Sequence, residues 1–176
     1  MIRIFLFALS LALSQGQTPP KIGEKPTPKA KALELLERAA GIVSGAQPEV
    51  QVAGLLHVAD LYSGLDKKKS LEYFDLAFAA AAALPNETGN DKRSYMQSQV
   101  IALTAEADLD RSIEMLRQLP PPPSEGDDFR VPPVNRIVGQ IVAKKEYDRA
   151  IELVTNLGSE GEFAFDAAGT FSKHCP

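Results

Sequence analysis

Apolar and polar positions recur down this chain in a short phrase. Ala32-Leu33-Glu34, Ser70-Leu71-Glu72, Ser112-Ile113-Glu114 and Ala150-Ile151-Glu152 each set a small residue, an aliphatic one and a glutamate in a row. An apolar residue (Leu36, Phe74, Leu116, Val154) follows three places after the aliphatic one. The steps from Leu33 to Leu71, Ile113 and Ile151 are 38, 42 and 38 residues. Self-similarity at such a period is the mark of stacked helical hairpins. Aligned without gaps on the phrase, other columns match. Val58, Val100 and Val138 stand thirteen before the aliphatic residue, and Leu61, Leu103 and Ile141 stand ten before. Asp66, Asp108 and Glu146 stand five before; Ala77, Leu119 and Leu157 stand six after.

Between these anchors the apolar spacing is helical. Lys29 to Ser44 carries Ala32, Leu35, Leu36, Ala39, Ala40 and Val43 as a stripe, with Gly45 as a stop. Pro48 suits the first turn of a second helix reaching Ser63. Asp66 is placed to cap a third, Lys67 to Leu84, and Asp108 a fifth ending near Leu119, after a fourth over Asp91 to Glu106. Pro132 and Pro133 open a sixth helix to Lys144; a seventh runs from Tyr147 to Leu157 and a weaker eighth covers Gly161 to Lys173. No segment alternates with the period of two that strands require. The expectation is an all-α chain of seven to eight helices, in which the first copy is only the second helix of a half-repeat.

The Tyr147-Asp148-Arg149-Ala150-Ile151-Glu152-Leu153 segment resembles the second-helix opening of a tetratricopeptide repeat, where an aromatic residue precedes Ala by three. The first helices depart from that family: Gly54, His57 and Val58 stand where its aromatic and Leu-Gly signature would be, and the period exceeds the family's roughly 34 residues. The resemblance implies a right-handed α-solenoid over residues 29–176, with a generic helical solenoid as the broader alternative. It also implies a concave groove lined by the first helices: Leu55, Ala59 and Tyr62 in one copy, Gln97, Ile101 and Thr104 in the next, Asn135 and Val142 in the last. Such a groove is neutral and partly apolar, suited to an extended peptide. The alternative is that these positions pack against a neighbouring helix.

The termini and loops add compartment and organisation. Arg3, the apolar run Ile4 to Leu13 and the small residues up to Gly16 fit a cleaved export signal over residues 1–16, which places the protein in a periplasm or outside the cell. That apolar run is too short to span a bilayer, so no integral membrane segment is expected after cleavage. Residues 17–28 are proline-rich and read as a linker, and Pro120 to Pro123 begin a proline-rich break over 120–131. Asn86-Glu87-Thr88 matches a glycosylation acceptor in a loop.

Composition narrows the chemistry. Net charge is −4, or −5 once Arg3 is removed, which argues against nucleic acid. The single Cys175 permits no internal disulfide. His57 and Asp60 lie one helical turn apart, a spacing that can hold a metal, but the alignment puts His57 beside Gln99 and Ile137 in an interior column, where a hydrogen-bonded histidine is expected. His174-Cys175 reads as a frayed tail. Lys67-Lys68-Lys69 reads as a solvated face, and Asp127-Asp128 as solvated loop charge. No nucleophile–base arrangement, phosphate-cradling loop or Cys-x-x-Cys is present, so no catalytic residue, cofactor or metal is expected. The reading is a non-catalytic module for a protein or peptide partner. The alternative is a subunit that self-associates as a homo-oligomer through an incomplete C-terminal repeat bearing Phe163, Phe165 and Phe171.

Overall fold

The computed structural model describes residues 26–85, 92–120 and 128–159. Among them are seven helices and no strand: α1 (Pro28–Val43), α2 (Pro48–Ser63), α3 (Lys67–Ala82), α4 (Lys92–Ala107), α5 (Leu109–Leu116), α6 (Val131–Ala143) and α7 (Tyr147–Ser159). The export signal, most of the linker, most of the proline-rich break, the Asn86 acceptor, the eighth helix and the His174-Cys175 tail lie outside the described residues. None of the described helices is long and apolar enough to cross a membrane.

The helix starts follow from local chemistry. Asp66 Oδ1 accepts from the Lys69 backbone N–H at 3.1 Å, and Asp108 Oδ1 accepts from that of Arg111 at 3.1 Å. Each satisfies an amide that the first turn would otherwise leave bare. Thr27 does the same for α1 through Ala30. Glu146, the third acidic residue of that column, holds Arg149 at 3.1 Å instead. At the end of α6 the amides of Glu146 and Lys145 return to the carbonyls of Ile141 and Val142. That is a Schellman closure, and it puts Lys145 at φ 63°, a left-handed position glycine usually fills.

Contacts run down the chain between successive helices, and α2 also meets α4, as α4 meets α6. One continuous core runs from Val52 in α2 to Leu157 in α7; a smaller cluster of Leu36, Ala40, Val58 and Tyr62 lies under α1. In the recurring phrase the small residue lies deepest: Ser70, Ser112 and Ala150 are fully buried. Ser70 Oγ donates to the Ala59 carbonyl of α2 at 2.8 Å, so its hydroxyl is satisfied across the contact between two helices. The aliphatic residue is shallower, from buried Ile113 to half-exposed Ile151, and the glutamate is exposed in all four copies.

A second regularity is ionic. Every next-but-one helix pair carries a cross-helix ion pair. Lys69 meets Glu37 (α3 to α1), Lys92 meets Glu49 at 3.9 Å (α4 to α2), and Arg111 meets Asp75 at 2.7 Å (α5 to α3). Arg136 meets Glu106 (α6 to α4), and Arg149 meets Asp110 (α7 to α5). The base lies two before the aliphatic residue at Lys69, Arg111 and Arg149. Its acid lies four after the preceding aliphatic residue at Glu37 and Asp75. In α5 that acid position holds Arg117, and Arg149 turns to Asp110 and Glu146 instead.

Candidate interaction surface

The residues expected to line an open groove are packed inside. Leu55, Ala59 and Tyr62 of α2, Gln97, Ile101 and Thr104 of α4, and Val142 of α6 are all buried, and Asn135 is half-buried. The reason is the number of neighbours. The helix α2 is packed against α1, α3 and α4, and α4 against α2, α3, α5 and α6, so most of each circumference is covered. The inner positions of the sequence reading are therefore packing positions. Thr104 shows how a polar side chain is accommodated there: its Oγ1 donates to the Val100 carbonyl at 2.8 Å and touches Met115 Sδ at 3.7 Å. Asn135 Oδ1 is enclosed without a hydrogen-bond partner.

The face that stays open lies on the other side of the same helices. Ala53, His57 and Leu61 on α2, and Tyr95, Gln99 and Leu103 on α4, are exposed at four-residue spacing, which puts each trio on one stripe. His57 is thus on the surface and not in an interior column, a correction to the alignment-based reading. Leu61 is 59% exposed and Leu103 38%, yet their counterpart Ile141 is at 0%. Counterparts of His57 and Gln99 behave the same way, since Ile137 is also at 0%. In α6 the exposed stripe runs through Pro132 and Arg136, one residue out of step with α2 and α4. One residue is about 100° of helical rotation, enough to turn an outward column inward. Phe129, just before α6, meets the Tyr95 ring edge-on with centroids 6.3 Å apart.

Charged groups frame this face. Arg136 and Glu106 pair across α4 and α6, and Lys92 pairs with Glu49 across α2 and α4. The lysine run at the start of α3 is not a free basic patch. Lys67 pairs with Asp108 at 3.2 Å, Lys68 with Glu72 at 3.8 Å and Lys69 with Glu37. The Arg111 amide holds the Asp108 carboxyl below its usual range, opposed by partial burial and helped by Lys67. Asp75 and Glu114 raise Arg111 well above its ordinary value.

The described residues also line two clefts. One of about 390 Å³ lies between α5 and α7, with Ile113 and Leu153 at its base and Asp110, Glu114, Arg117 and Glu152 around it. The other, about 210 Å³, is almost wholly polar and sits where Lys67, Asp108, Gln140 and Lys144 converge. Both are open troughs of surface charge. Among the described residues no three histidine, cysteine, aspartate or glutamate side chains come together to hold a metal ion.

The ionic column escaped the sequence reading. Its sign was present in the aligned copies, as Lys69, Arg111 and Arg149 two before the aliphatic residue, with Glu37 and Asp75 four after it. Comparison with family models, curated proteins and solved structures found no match.

Proposed function

We propose that this chain is an exported, non-catalytic helical-repeat module that holds a protein or peptide segment on the outer face of α2 and α4. The observation that carries the reading is the pair Leu61 and Leu103. They occupy the same place in two successive copies, both stay exposed, and exposed Tyr95 lies beside them in the same stripes. Singly, exposed aliphatic residues are ordinary; a repeated apolar row flanked by His57 and Gln99 is what an apolar segment needs. In this reading the helices form a right-handed solenoid of the tetratricopeptide type. The α2–α4 and α4–α6 contacts and the next-but-one ion pairs support that arrangement. Export rests on the Arg3 and Ile4–Leu13 pattern.

The test is a crosslinker placed at His57 or Gln99 in the protein expressed in its own envelope or secretome. A partner is expected with the native face and is expected to be lost in a Leu61→Asp/Leu103→Asp variant whose helical content is unchanged. Capture that survives the double substitution, or no partner at all, would overturn this assignment. A second copy of the chain as the captured species would show self-association instead.

A further inference from the structure

We propose that α1 is a detachable cover, leaving α2 and α3 as one unit while the remaining helices stay folded and uncovering Tyr62 and Tyr73. The inference does not depend on the proposed function, because it concerns a different face.

Little of α1 is buried. Of its 16 residues only Leu36 and Ala40 are fully buried, against six residues in α2 and seven in α4, helices of the same length. Leu33 and Ala39 are partly covered. On the far side Leu35 and Ile42 remain 62% and 77% exposed, so α1 gains nothing there. These contacts belong to the separate cluster with Val58 and Tyr62, not to the core that runs from α2 to α7. Lifting α1 therefore takes from the main core only the partly buried Val43 at its end, while Tyr73 touches both clusters. Local openings of this kind follow contiguous units with few buried contacts.

Closure also has a cost. Tyr62 is fully buried and its hydroxyl has no hydrogen-bond partner. A buried, unsatisfied hydroxyl opposes the closed state, and opening returns it to water. What favours closure on the polar side is the pairing of Lys69 with Glu37 of α1; the Tyr62–Tyr73 stack, with centroids 5.2 Å apart, and Lys69 Nζ, 5.6 Å from the Tyr62 ring centroid, join α2 to α3 and remain when α1 leaves. At the hinge end, a Cβ on Gly54 would lie 2.6 Å from a Val43 methyl, so the absence of a side chain there lets the end of α1 seat against α2.

Hydrogen exchange of the full chain, read by mass spectrometry, tests this. Amides of α1 are expected to exchange together and about 100-fold or more faster than those of α4, as expected of a sub-global opening. Tyr62→Phe removes the unsatisfied hydroxyl and is expected to slow exchange across α1 several-fold without changing α4 or α6. Gly54→Ala is expected to speed α1 alone. Exchange of α1 at the rate of α4, or a Tyr62→Phe variant in which α1 exchanges faster, would overturn the proposal. Tyr62→Phe keeps the test decisive if Gly54→Ala fails to fold.

Discussion

Second helices and first helices of the copies behave differently. In α3, α5 and α7 the position before the aliphatic residue is fully buried each time, and the residue six after it is buried each time. In α2, α4 and α6 the Val58, Val100 and Val138 column is buried throughout, but another column splits: Leu61 and Leu103 face out while Ile141 faces in. The starts of α3 and α5 are tied by an aspartate cap, and all three second helices bury a small residue. The α6 helix follows the proline-rich stretch, and its start is set by Arg130, Pro132 and Pro133 with no side-chain cap bond. A one-residue offset there moves every side chain by about 100°. Columns well inside the buried face, such as Val58, Val100 and Val138, transfer between copies; a column at its edge, such as Leu61, Leu103 and Ile141, does not.

The sharpest attack on the second helices is deletion in their core. Leu116→Ala empties a fully buried site and is expected to cost about 2–5 kcal/mol in chemical denaturation. Overfilling the small position comes next. Ala150→Leu, at 0% exposure, should cost about 1–3 kcal/mol. A cap removal follows: Asp108→Ala is expected to cost about 1 kcal/mol near neutral pH. Its sign with pH is fixed by the lowered folded pKa. The contribution is present above the ordinary value of 3.8 and is lost as pH falls through the folded value, so wild type and variant should converge in acid. A stabilising change is smaller still. Lys145→Gly relieves a left-handed backbone and should gain up to about 1 kcal/mol. Least of all, Ile151→Ser, immediately after Ala150 but half-exposed, should stay within about 0.5 kcal/mol. If Ile151→Ser proved as damaging as Ala150→Leu, the division between buried and edge columns would fail.

Helix positions were legible because capping and proline chemistry are local. Asp66 and Asp108 cap where expected, Pro48 opens α2, and the boundaries agree to within a residue or two, except at the end of α5. The faces were not legible in the same way. Whether Tyr62 or Leu61 points inward depends on which neighbours surround α2, and that depends on contacts from residues far along the chain. His57 was placed inside because Ile137 shares its column, and the α6 offset is invisible in an ungapped alignment. Lysines 67–69 looked like one patch because two of their partners, Asp108 and Glu37, lie far along the chain, outside α3.

Arg117 has a consequence for how the copies can be ordered. It stands where α1 and α3 offer Glu37 and Asp75 to the base of the next copy. If the copy containing α5 were moved ahead of one beginning with Lys69 or Arg111, two cations would meet at the joint. Arg149 follows it in the native order and finds Asp110 and Glu146 within its reach. The joints are therefore not interchangeable, and a shuffled chain would carry like charges side by side at a seam that the native order closes with opposite ones.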